Sequence, residues 1–117
     1  MLEENYFHAV FEAMKSISAK IRSLTGLSGD GCDLVHDAFG QRFGDPLLVI
    51  NQFQTETHKG EQIGFMNLLK GLYGTIRNPL AHTPKTEWEM TEQDALDILT
   101  MISLVHRKLD RAHRFRS

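Results

Sequence analysis

A chain of 117 residues with 41% hydrophobic and 24% charged side chains has the composition of one globular domain, spanning residues 1–117, and not of a disordered segment. Its one cysteine, Cys32, excludes an internal disulfide and a C-x-x-C zinc pair. No apolar run approaches the roughly 18 residues of a membrane span, and the acidic start Met1-Leu2-Glu3-Glu4-Asn5 is unlike a signal peptide, so a cytoplasmic protein is expected.

A first helix is predicted from about Glu4 to Leu24. Phe7, Val10, Met14, Ile17, Ile21 and Leu24 alternate three- and four-residue steps and draw one apolar stripe, and Gly26 supplies the stop. The stretch from Ser28 to Gly60 is less regular. Asp33 to Phe39 reads as a short helix with Leu34, Ala38 and Phe39 buried. Pro46 can open a short turn through Leu47–Ile50, and Asn51 to Lys59 reads as a polar loop.

A second long helix is predicted from near Glu61, with Met66, Leu69, Tyr73, Ile76 and Leu80 as its apolar stripe. Gly64, Gly71 and Gly74 each lower its propensity by about 1 kcal/mol relative to alanine. Glycines so placed suggest close approach of another backbone, within the chain or between chains. Pro79 interrupts the helix, because it lacks an N–H and its ring clashes with the preceding turn. Asn78 can cap a new short turn with Pro79 in its first position, and Pro84 ends that turn. In the last helix, Thr91 is the N-cap, Glu92 and Asp94 suit the first turn, and Ile98, Ile102, Val105, Leu109 and Ala112 form the stripe. No segment alternates with period two for long enough to predict a strand. The expected fold is all-α, a small bundle of three long amphipathic helices plus short ones.

The helix break gathers the chemistry. Arg77, Asn78 and His82 lie within Arg77-Asn78-Pro79-Leu80-Ala81-His82. On a continuous helix Arg77 and His82 stand about 140° apart, but the proline relaxes that geometry and arginine is long. Arginine presents a fork of donors that matches two phosphate oxygens. Histidine exchanges a proton near neutral pH, and asparagine can orient the ring or the phosphate. The types suit a phosphodiester, although capping and surface roles would use the same residues.

The arrangement R-N-x-x-x-H resembles the signature of HEPN domains, helical bundles frequent in toxin–antitoxin, abortive-infection and RNA-processing systems. The chain is similar in particular to the Ymh-type branch, a group mainly of unknown function. The matching stretches are Tyr6–Ala13, Gly60-Glu61-Gln62, Gly64-Phe65-Met66, Gly71 and Gly74–His82, so the resemblance runs from about residue 5 to 110. It implies a metal-independent endoribonuclease, without cofactor, whose composite site forms where two motifs meet across a homodimer. Arg77 would hold the scissile phosphate, His82 would act as general base or acid, and Asn78 would position one of them. The 2′-hydroxyl would attack its own phosphate, which selects RNA over DNA. An antitoxin or regulatory domain is a further partner implied by such systems. The alternative within the same resemblance is a non-catalytic dimerisation or RNA- or nucleotide-binding module.

Three further cations are candidates for substrate binding. Lys70 lies seven residues before Arg77, on nearly the same helical face. Arg107 and Arg111 belong to a basic end, residues 106–117, where five basic side chains oppose only Asp110, while the rest of the chain is acidic. Cations in a last helical turn also suit the helix dipole. Trp88 could stack on a base. His8, His36, His58, His106 and His113 are scattered without metal-ligand spacing, and Glu61 and Gln62 read as helix-start residues.

Overall fold

The computed structural model describes residues 2–42, 44–77 and 90–115. Helix α1 runs from Leu2 to Thr25. The predicted stripe is its buried side: Phe7, Val10, Met14, Ile17 and Ile21 are inside, while Leu24 packs at the edge. Gly26 ends it at φ +78°, a conformation open to glycine, with its N–H bonded to the Arg22 carbonyl.

Helix α2 spans Gly31–Phe39 and starts on Asp30, whose carboxylate accepts the Gly31 N–H. Its buried residues are Leu34, Val35, Ala38 and Phe39, one more than the spacing indicated. The turn expected after Pro46 is instead strand β1, Leu48–Val49. It pairs antiparallel with strand β2, His113–Arg114, in the register Leu48 with Arg114 and Val49 with His113. A pair two residues long has no periodicity to read in the sequence. It forms because the chain leaving the last helix folds back, and the Phe115 N–H reaches the Leu47 carbonyl.

Helix α3 runs from Glu56 to Leu72, so it takes in residues expected to be loop. Its start is fixed by a reciprocal cap: the Thr55 hydroxyl accepts the His58 N–H, and the His58 ring accepts from the Thr55 N–H. A π-helical turn, Tyr73–Arg77, continues α3 without a break. Helix α4 spans Glu92–Arg111 from the predicted cap Thr91, which accepts the Asp94 N–H.

Pairs of contacts set the directions. Ser16 meets His106 and Lys20 meets Asp110, so α1 and α4 run parallel. Tyr73 meets Ser18 and Arg77 lies over Phe11, so the end of α3 runs against α1. Cys32 meets the Lys70 carbonyl and Phe39 packs edge-on against Phe65, so α2 runs against α3. One core of buried side chains draws on all four helices.

The three glycines expected in the second long helix have no close neighbour within the described residues. Gly64, Gly71 and Gly74 are exposed, and a Cβ built on any of them meets nothing within 4 Å. Among the described residues, no backbone of this chain approaches them. Gly60 shares that open surface, which is flanked by the exposed side chains of Ile63 and Leu68. No described helix is long and apolar enough to cross a membrane.

Candidate functional site

Of the three residues expected to carry chemistry, Arg77 is described, and Asn78 and His82 lie outside the described residues, as do Pro79, Pro84 and Trp88. Arg77 closes the π-helical turn. A π turn closes its hydrogen bonds over five residues instead of four, so each residue rotates less about the axis than in an α-helix. Arg77 shares the face that carries Tyr73, turned inward to α1 and the start of α2.

There the guanidinium meets Asp30. Arg77 Nη2 donates to Asp30 Oδ2 at 2.8 Å. The other carboxylate oxygen accepts from the Ser18 hydroxyl at 2.6 Å and from the Gly31 N–H at 2.8 Å. Ser18 is buried in α1 and lies 2.5 Å from the Tyr73 hydroxyl. Its single proton is given to Asp30, so the Tyr73 phenol must donate to Ser18. The bonds therefore run from Tyr73 to Ser18 to Asp30, and Asp30 faces Arg77.

The pKa shifts at the two ends have separate causes. Partial burial works to raise the Asp30 pKa, but the bonds from Ser18, Gly31 and Arg77, with the Arg77 charge, hold it below the usual aspartate value. Burial first, and then the Asp30 charge, push the Tyr73 phenol up, against the Ser18 bond, so it stays protonated. Arg77 lies with its guanidinium carbon 5.9 Å from the centre of the Phe11 ring. Its Nε–H is buried and has no acceptor among the described residues.

Arg77 and Asp30 sit in the wall of a cleft of about 350 Å³, with Lys15, Ser16, Ser18 and Arg22. Glu12 is its other acidic residue, so three cations face two carboxylates. Arg22 donates to the Gly29 carbonyl at 3.2 Å and stands 3.9 Å from Asp30. Lys15 is paired there with Glu12 at 3.4 Å, so both carboxylates of the cleft are held by its cations.

The other predicted cations fall elsewhere. Lys70 lines a separate polar cleft with Cys32, Asp33, His36, Asp37 and Arg42. Arg107 is exposed on α4 and donates to Ser103, and Arg111 is exposed at the end of that helix. Two neighbours in the basic end make structural contacts: Lys108 pairs with Glu61 at 3.7 Å, and Arg114 donates to the Thr25 carbonyl at 3.2 Å. Among the described histidines, His58 caps α3 and His106 contacts Ser16.

Gln62 is a buried clamp and not a helix-start residue. Its amide donates to the Phe39 and Leu48 carbonyls and accepts the Ile50 N–H. Lys15, Ser18, Arg22, Asp30 and Tyr73 were not among the predicted site residues. Tyr73, four residues before Arg77, carried a local signal, but the contact with Asp30 crosses the fold.

Fold and site together define a small helical bundle with a cationic cleft built around a clamped arginine. The family model described as "Protein of unknown function (Hypoth_ymh)" matches residues 1–109, and the chain belongs to that family. No curated protein and no solved structure matched the chain.

Proposed function

We propose that this protein is a metal-independent endoribonuclease of the HEPN type, acting as a toxin or phage-defence effector through a composite site at a homodimer interface. The observation that carries the reading is Arg77: a guanidinium fixed in a cationic cleft, with one buried N–H lacking an acceptor among the described residues. A phosphate oxygen is the natural complement of such a donor. In this reading Arg77 binds the scissile phosphate and stabilises the charge that builds on it. His82 serves as general base or acid, and Asn78 orients one of the reacting groups. In this reading two copies meet with their Arg77–His82 segments facing one another across the interface.

The test is incubation of the full chain with RNA in chelator, beside Arg77→Ala and His82→Ala. Cleavage that leaves a cyclic phosphate, lost in both variants, supports the reading. Cleavage abolished by chelator, or kept by the variants, overturns it.

A second reading, a non-catalytic dimerisation or RNA- or nucleotide-binding module, is favoured by one observation. Asp30 already neutralises part of the Arg77 charge, as expected if the pair mainly braces the bundle. RNA bound without cleavage by the wild-type chain would select it.

A further inference from the structure

We propose that Asp30 is the positioning residue of the Arg77 site, aiming the guanidinium into the cleft from the start of α2. The inference rests on the reading that Arg77 handles a phosphate. Capping α2 does not explain the arrangement. A cap needs one acceptor, and Asp30 Oδ1 serves there for Gly31. Oδ2 is turned to a residue on another helix, 47 positions along the chain. Behind it, Ser18 and Tyr73 are both buried and form a line of hydrogen bonds ending on the carboxylate. That line fixes Asp30 independently of Arg77, as a residue that positions another must be fixed.

The chemistry gains from it. An arginine side chain samples many rotamers, and a phosphate that binds it must stop that motion. A guanidinium already held reaches the reacting geometry without that cost. Asp30 takes up Nη2, and among the described residues nothing takes up Nη1, which is left for a ligand, or the buried Nε–H. Asp30 is also an anion in the wall of the cleft that this reading gives to a phosphate. Its charge works against RNA affinity, so positioning and attraction make opposite predictions when the charge is removed.

Asp30→Asn separates them, because asparagine keeps the cap of α2. Steady-state RNA cleavage by the full chain in chelator should show kcat down about tenfold or more, with KM unchanged or lower. Ser18→Ala, which loosens Asp30 from behind, should show a smaller loss of the same kind. The second readout needs no turnover: the ¹⁵N-resolved Nε–H signal of Arg77, assigned by its absence in Arg77→Lys. It should exchange slowly in the wild type and be lost to solvent exchange in Asp30→Asn. An unchanged kcat in Asp30→Asn, a faster one, or a persisting Nε–H signal overturns the proposal. If the wild type cleaves no RNA, the nuclease reading falls, and the Nε–H signal still decides Asp30: its loss supports the proposal and its persistence refutes it.

Discussion

Arg77 and Asp30 meet through a 2.8 Å bond that joins the end of the π-helical turn to the first residue before α2. One contact thereby ties together three segments, because Ser18 of α1 is bonded to the same carboxylate. The carboxylate that braces the cleft is thus also a crossing point of the bundle. Structure and chemistry depend there on the same charge.

The fork of Arg77, and not its charge alone, is what the site uses. A lysine in its place has one nitrogen to share between Asp30 and a ligand. Arg77→Lys is expected to keep the fold, by circular dichroism, and to lower RNA cleavage by roughly tenfold or more. Equal rates for Arg77→Lys and wild type would show that a point charge suffices.

Asp30 makes the stability of the fold depend on acid. Its carboxyl pKa is lower in the folded protein than in the unfolded chain. A depressed folded pKa stabilises above the unfolded value, and the gain is lost as pH falls through the folded one. The window therefore opens near the unfolded value of about 4 and extends below it. Urea midpoints measured from pH 6 to pH 3 should fall for the wild type and fall less steeply for Asp30→Asn. Parallel curves would show that Asp30 has no linked proton.

The long helices were legible because their stripes repeat through five or six residues, and Thr91 announced the start of α4 as a cap should. The start of α3 was not, because Thr55 is paired with His58 where the familiar cap partner is Glu or Gln. Arg77 was legible as the arginine before a proline break. Asp30 was not, because nothing local links it to a residue so far along the chain. Lys70 lies apart from Arg77 for another reason. A seven-residue spacing puts two side chains on one face only at 100° per residue, and the π turn between Lys70 and Arg77 breaks that count. The β1–β2 pair is a product of chain closure and has no length in which to show a pattern.

Gln62 is a polar residue whose role is structural. Its side-chain amide is buried and bonded to three backbone groups, which join α3 to the end of α2 and to the β1 segment. Replacing it with leucine leaves two carbonyls and one N–H without that partner. The cost should be about 2–4 kcal/mol, read as a fall in Tm of roughly 10 °C. RNA cleavage measured well below the new Tm should remain, since Gln62 is not among the residues that line the Arg77 cleft.

The glycine face of α3 offers a test in which stability and association move in opposite directions. Gly64 and Gly71 lie in a helix interior, exposed, with nothing within 4 Å of a built Cβ. In the isolated chain, alanine at each position should therefore stabilise by about 0.5–1 kcal/mol, through helix propensity. If a second copy packs its backbone against this face, the added methyl groups hold the two helices apart. The double variant Gly64→Ala/Gly71→Ala is then expected to unfold at higher urea at concentrations where the chain is monomeric. In sedimentation, its dimer should dissociate at about tenfold higher concentration or more than the wild-type dimer. A variant that is more stable and dimerises equally well would place the interface elsewhere on the molecule.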